Sequence, residues 1–305
     1  MRDAFAAELT ALAGADPRVI MLSGDIGNRL FDKYKSAFPD RFYNCGVAEQ
    51  NMMSVAAALA SSGMRPIVYT IAPFVTLRCL EQIRVDVCYH NVPVVIVGVG
   101  AGLSYAALGA THHSLEDVAC LRALPHMSVV CPGDPIEAGL ALRAALKHPG
   151  PVYLRLGKKG EPGVHQKPPE FIIGRGIVLK PGQRVGLLSC GTLLPESLAA
   201  AAELERRGVS TELVSFHTVK PLDEALLHRI FSRFELVATV EEHGLIGGLG
   251  SAVAEWLCDQ KPVKTRLCRI GGPDAFLHEA GEQEYARRRF GLDAEAIVAR
   301  VLERL

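Results

Sequence analysis

Val92-Pro93-Val94-Val95-Ile96-Val97-Gly98-Val99 carries no charge and no polar alternation. A strand with one face in water alternates apolar and polar positions. An unbroken Val/Ile run instead fits a strand covered on both faces, as in a parallel sheet between two layers of helices. Runs rich in Val and Ile, most without polar alternation, recur at Val19–Ser23, 66–70, 128–131 and 152–156, with a shorter run at 42–45. Helical patterns lie between these runs, at 3–14, 48–62, 74–89, 115–121 and Pro135–Lys147, and Gly63 follows the second of them as a C-terminal cap. Residues 157–182 break the pattern with many Gly, Pro and Lys, including Pro168-Pro169. A second alternation follows, with strands at Val185–Cys190, 211–216, 236–241 and 265–270 and helices at 194–207, 223–231, 248–259 and 294–305. The expectation is an α/β protein of two doubly wound domains with largely parallel sheets, 1–160 and 183–305, joined by a linker at 161–182.

The 305 residues, 49% of them hydrophobic, suffice for two such cores. Thirty-three Lys and Arg balance thirty-three Asp and Glu, and there is no basic stripe, so no nucleic-acid partner is expected. The eight cysteines (45, 79, 88, 120, 131, 190, 258 and 268) form no C-x-x-C pair and several sit in apolar runs, which reads as buried thiols in a reducing compartment. Met1-Arg2-Asp3-Ala4-Phe5 lacks the layout of a signal peptide, and no apolar stretch is long enough to cross a membrane. The expected location is the cytoplasm, without membrane contact.

Chemistry concentrates at Cys45-Gly46-Val47-Ala48-Glu49-Gln50-Asn51, where a short strand passes through a small-residue turn into an Ala-rich helix with a carboxylate in its first turn. Alone, Glu49 needs no more explanation than the helix dipole, which such a charge complements by about 0.3–1 kcal/mol. Ala72-Pro73-Phe74, Gly109-Ala110-Thr111-His112-His113, Val219-Lys220-Pro221-Leu222-Asp223, and Val240-Glu241-Glu242-His243 leading to Gly247-Gly248-Leu249-Gly250 follow in order. Together these segments, with Gly46-Val47-Ala48-Glu49-Gln50, resemble the pyrimidine-binding and C-terminal domains of transketolases and deoxyxylulose-phosphate synthases, over nearly the whole chain.

The resemblance implies a thiamine diphosphate enzyme that transfers a two-carbon ketol unit from a ketose to an aldehyde. In that family the Glu49 position meets the cofactor's aminopyrimidine ring and the Phe74 position stacks on it; Leu77 would help line the pocket and Asp25 would approach the cofactor from its strand end. Burial should raise the pKa of Glu49, so that its carboxyl can exchange a proton with the ring near neutral pH. His112 is implied as a substrate-hydroxyl ligand or proton carrier, with His113 beside it. Lys158 stands where family members carry a phosphate-binding Arg, and Arg155 and Arg2 are implied as further anion contacts. Lys binds phosphate as a point charge, without the bidentate fork of Arg.

Three departures matter. Leu108 replaces an aspartate that reads a sugar hydroxyl, and a phosphate-contacting His is missing near Gly100, so an unusual sugar or a 2-oxo acid is the expected donor. Gly24-Asp25-Ile26 lacks the second Gly of the family's metal-binding motif, and Asn51 belongs to the Glu49 helix. No metal ligands are therefore assigned here. Mg2+ and the diphosphate would be held by a separate N-terminal diphosphate-binding transketolase subunit, in a heterotetramer with self-association of this chain. Two other readings stay open: the beta subunit of a 2-oxo acid dehydrogenase, and a non-catalytic partner-binding subunit.

Overall fold

The computed structural model describes residues 1–27, 29–158 and 160–305. The strands among them are β1 (Val19–Ser23), β2 (Phe42–Asn44), β3 (Arg65–Ile71), β4 (Val95–Val99), β5 (Ser128–Val130), β6 (Val152–Arg155), β7 (Ile177–Lys180), β8 (Val185–Cys190), β9 (Thr211–Ser215), β10 (Thr218–Lys220), β11 (Leu236–Gly244) and β12 (Arg266–Gly272). They form two sheets, ordered β10-β5-β6-β4-β3-β1-β2 and β12-β11-β8-β9-β7. Every pairing is parallel except β10 with β5 and β7 with β9, so the expected doubly wound α/β architecture is present in both halves.

The uncharged Val/Ile run at 92–99 supplies β4, the middle strand of the first sheet, buried along its whole length. Helix Glu49–Ser61 covers one face of that sheet through Met52, Met53, Ala56 and Ala60. Helices Arg2–Ala15 and Pro135–Lys147 cover the other through Phe5, Leu9, Ala138 and Leu142. Covering both faces removes from water the apolar area that drives folding, and it leaves the strand ends as the place for irregular, chemistry-bearing loops.

Two expectations need revision. The single helix at 74–89 is three pieces: Ala72–Val75, Leu80–Gln82 and a π-helical run Ile83–Tyr89. The break lies where the backbone hydrogen bonds lose their regular spacing. Arg78 N reaches back five residues to Pro73 O (3.3 Å) and Cys79 N only three to Thr76 O (3.1 Å). The segment 161–182 is not featureless either, because β7 lies within it as an edge strand of the second sheet. The halves also interlock, since β10, from the second half, adds an edge to the first sheet. Lys220 at its end donates to the carbonyl of Arg122 (2.9 Å) and to that of Leu124.

A buried ion pair in the first half reaches the second half through a hydrogen bond. Arg155, at the end of β6, donates to both oxygens of Asp117 (2.8 and 3.2 Å), to Ser114 O (2.8 Å) and to Glu242 O (3.0 Å), and the Tyr153 hydroxyl donates to Asp117 at 2.6 Å. Burial alone would push the Asp117 carboxyl up, but Arg155, the nearby His243 and the hydrogen bonds outweigh it and hold it below its usual range. His243 is buried too. Desolvation pushes its pKa from 6.5 down to about 4 despite the opposing pull of Asp117, so it packs as a neutral imidazole. His217, stacked on Phe171 with ring centroids 4.0 Å apart, is lowered to about 4 for the same reason.

These histidines set a pH dependence. Between pH 6.5 and about 4 the unfolded chain binds protons that the folded chain refuses, so stability is full above 6.5 and drains as pH falls toward 4. A shift of this size corresponds to roughly 3 kcal/mol per histidine. Urea denaturation at pH 7.5 and pH 5, on the wild type and on His243→Gln, should show a smaller acid-induced loss in the variant.

Candidate active site

The candidate site lies at the carboxyl ends of the first sheet's strands, where ligands of open parallel sheets bind. β2 ends in Asn44, whose Oδ1 accepts from Gly46 N at 2.9 Å and whose Nδ2 donates to Asp25 Oδ1 at 3.0 Å. Asp25 N in turn donates to Gly46 O (3.2 Å). Gly46 has φ +66°, a left-handed turn that glycine makes without strain, and the chain then enters the helix whose first residue is Glu49. Asp25 thus braces the turn in front of Glu49.

Glu49 is 4% exposed, and its Oε2 accepts from Arg78 Nη1 at 2.8 Å. The Arg78 guanidinium lies over the Phe74 ring, Cζ 4.3 Å from the centroid. Across the cleft His112 meets Phe74 edge-on, with ring centroids 5.3 Å apart, and its Nδ1 lies 3.0 Å from Thr111 Oγ1. Partial burial, and secondarily His113, lower the His112 pKa, which favours the neutral imidazole near pH 7. Leu77 is exposed in the same segment.

The loop carrying His112 is pinned at its base. Gly102 and Ser114 exchange backbone hydrogen bonds of 3.0 and 2.9 Å. Beneath that bridge Glu242, fully buried on β11 of the second sheet, accepts from Leu103 N (2.7 Å), Gln283 Nε2 (2.9 Å) and Arg287 Nε (2.6 Å). The second domain therefore sets the position of a first-domain loop.

The structure links Glu49, Phe74 and His112 through Arg78 and ring contacts, with Asp25 bracing the turn before Glu49 and Leu77 exposed in the Phe74 segment. Lys158 joins through Tyr105, its Nζ 5.0 Å from that ring, and Arg2 acts electrostatically on the same phenol. Two residues fall outside the group. Arg155 is buried, with its guanidinium taken up by Asp117, Ser114 and Glu242, and His113 is buried with Nε2 against Ala106 O (3.3 Å). Both are buried in contacts within the protein, Arg155 with Ser114 O at the loop's end and His113 with Ala106 O inside it. Sequence reading missed Arg78, Tyr105 and Glu242. Phe74 and Arg78 meet across the turn that follows helix Ala72–Val75, a break that the apolar spacing of the sequence does not display.

The pocket suits a flat nitrogenous ring. Arg78 already shows part of the pattern, a planar N–H donor over the Phe74 ring and hydrogen-bonded to Glu49, as an amino group on a flat ring would be. Among the described residues no group of three or more His, Cys, Asp or Glu side chains could hold a metal ion. A testable consequence concerns Gly102. Its φ is +65°, and a Cβ there would lie 2.6 Å from Glu242 Oε1. Gly102→Ala should lower stability by about 1–3 kcal/mol in thermal or urea denaturation.

Comparison with known proteins fits this geometry. Residues 1–161 match the family model for the transketolase pyrimidine binding domain, and residues 174–297 that for the transketolase C-terminal domain. The chain is 36% identical to a 6-deoxy-6-sulfo-D-fructose transketolase subunit from Clostridium sp. (strain MSTE9), over 98% of this chain and 92% of that one. It is 36% identical to one of the subunits of an apulose-4-phosphate transketolase from Actinobacillus succinogenes, over 86% and 84%. Among solved structures, a split-gene transketolase described as an inactive beta4 tetramer superposes with a TM-score of 0.91 at 36% identity, covering 99% of this chain and 97% of that one. With both halves matched and these relatives aligned along most of their own length, the chain belongs to the transketolase family, as its pyrimidine-binding and C-terminal portion.

Proposed function

We propose that this chain is one subunit of a split, thiamine diphosphate-dependent transketolase. It would transfer a two-carbon ketol unit from a phosphorylated or otherwise modified ketose to an aldehyde, and would act only with a diphosphate-binding partner. The observation that carries this reading is the buried Glu49 carboxyl, at a helix start beside the Phe74 face and opposite His112. Relatives named as transketolase subunits of matching length support the split arrangement. The division of the chain into 1–160 and 183–305 belongs to the same proposal, as do a cytoplasmic location and the absence of membrane and nucleic-acid partners.

Thiamine diphosphate, when bound, supplies the nucleophilic carbon that takes up the two-carbon unit. Glu49 would replace its Arg78 contact with the pyrimidine ring nitrogen and hold a proton there. Phe74 would fix the ring plane, with Leu77 and the Asp25-braced turn closing the pocket edge. His112, as a neutral imidazole, can take a proton from a substrate hydroxyl and return it. Lys158 and Arg2 would steady an anionic substrate group. Mg2+ and the diphosphate would be held by ligands of the partner, and two copies of each chain would close a heterotetramer.

The Phe74 and Thr111-His112 segments favour this reading over the beta subunit of a 2-oxo acid dehydrogenase. Against a purely partner-binding role, Glu49→Gln in the assembled enzyme should cut ketose turnover by about 100- to 10,000-fold, the usual worth of a positioned acid–base group. Partner binding, followed by analytical ultracentrifugation, should be retained. Full turnover in Glu49→Gln would rule out the catalytic assignment.

A further inference from the structure

Gly100 follows β4 with φ +68°, and any Cβ there would fall inside the ring of Tyr105. The two positions are therefore coupled, with the loop tyrosine filling space at the strand end. The 3-10 turn Ala106–Leu108, with Leu108 N donating to Tyr105 O at 2.8 Å, fixes the start of that loop segment. Around the half-buried ring stand His112 (centroids 6.1 Å apart, edge-on), Lys158 (Nζ 5.0 Å from the centroid) and Arg2, whose Nε is buried and makes no hydrogen bond among the described residues. The nearby carboxylate, Glu161, is engaged by the α-amino group of Met1 at 2.9 Å. Burial pushes the phenol pKa up, with Arg2 working against the rise and Glu161 with it, so Tyr105 keeps its proton and remains a donor.

We propose that Tyr105 is a specificity-determining residue that contacts substrate, its hydroxyl donating to a tetrahedral oxyanion at the far end of the sugar donor, between Lys158 and Arg2. This rests on the transketolase reading and names the residue that selects the donor. A cation pair alone attracts any anion. A neutral O–H between the cations adds a directional donor, and a phosphate or a sulfonate has the oxygens to accept it. The His112 contact puts the proton-carrying imidazole against the same ring, so the seat would also set how deeply the donor enters.

Tyr105→Phe keeps the ring that packs on Gly100 and under Lys158 and removes only the hydroxyl. In the enzyme assembled with its diphosphate-binding partner, KM for the anionic donor should rise about tenfold, the worth of one hydrogen bond to a charged group, with kcat and the KM of an uncharged ketose unchanged. Running a ketose phosphate and the corresponding sulfonate side by side shows which anion the hydroxyl serves. Unchanged KM for both anions, or an equal loss on the uncharged donor, overturns the proposal. A second arm titrates inorganic phosphate and methanesulfonate into the same assembly by calorimetry, and at least one should bind the wild type about tenfold more tightly than Tyr105→Phe. If neither binds the wild type, Tyr105 is no oxyanion seat. Tyr105-dependent anion binding without turnover of any ketose supports the seat and removes the transketolase reading instead.

Discussion

Glu242 is the carboxylate on which the arrangement of the cleft depends. It lies in the interior on β11, held by Arg287, Gln283 and Thr192 from its own half, and it spends its remaining acceptor capacity on the backbone of Leu103 in the other half. Its own carbonyl accepts from Arg155, which grips Asp117 and Ser114. A buried charge is tolerated only when paired and hydrogen-bonded, and removing one partner of such a set costs about 3–5 kcal/mol. The loop from Gly102 to Ser114 thus has its two ends held by hydrogen bonds to charged side chains, Leu103 N to Glu242 of the second half and Ser114 O to Arg155, and Tyr105, Thr111 and His112 lie between them. A second domain that only added bulk would not need to reach so far into the first.

The cleft itself is an electrostatic compromise. Glu49 is desolvated and requires a donor, and in this chain Arg78 is that donor, its guanidinium over the Phe74 ring. A flat heterocycle could stack in place of the guanidinium, but its basic nitrogen is an acceptor, so the hydrogen bond to Glu49 would need a proton shared between the two. Each half of the cleft has its own aromatic centre, Phe74 beside the carboxylate and Tyr105 beside the cations, and His112 touches both rings.

Much of the fold was legible because parallel strands buried on both faces leave runs rich in apolar residues, as at β4 and β1. The small edge strands β7 and β10 were not legible, since a run of three or four residues such as Thr218–Lys220 owes its conformation to a partner far away in sequence. The break at Arg78 and Cys79 escaped for a different reason: the apolar spacing of 74–89 continues through it, and only the backbone hydrogen bonds change. At the site, Glu49, Phe74 and His112 could be read as a group because each sits in a short motif at a strand end. Arg155 and His113 read as equally good cleft residues, for sequence displays a charge but not its buried counter-charge. Asp117, 38 positions from Arg155, decides where that guanidinium points.

Division of labour between two chains is the central claim, and cofactor binding tests it most directly. Thiamine diphosphate with magnesium should be titrated calorimetrically into this chain alone and into its equimolar mixture with a diphosphate-binding transketolase subunit. A split enzyme gives no tight binding to the lone chain, and tight binding with ketose cleavage in the mixture. Tight binding by the lone chain would mean that it holds the diphosphate by itself, and the division of labour would be wrong.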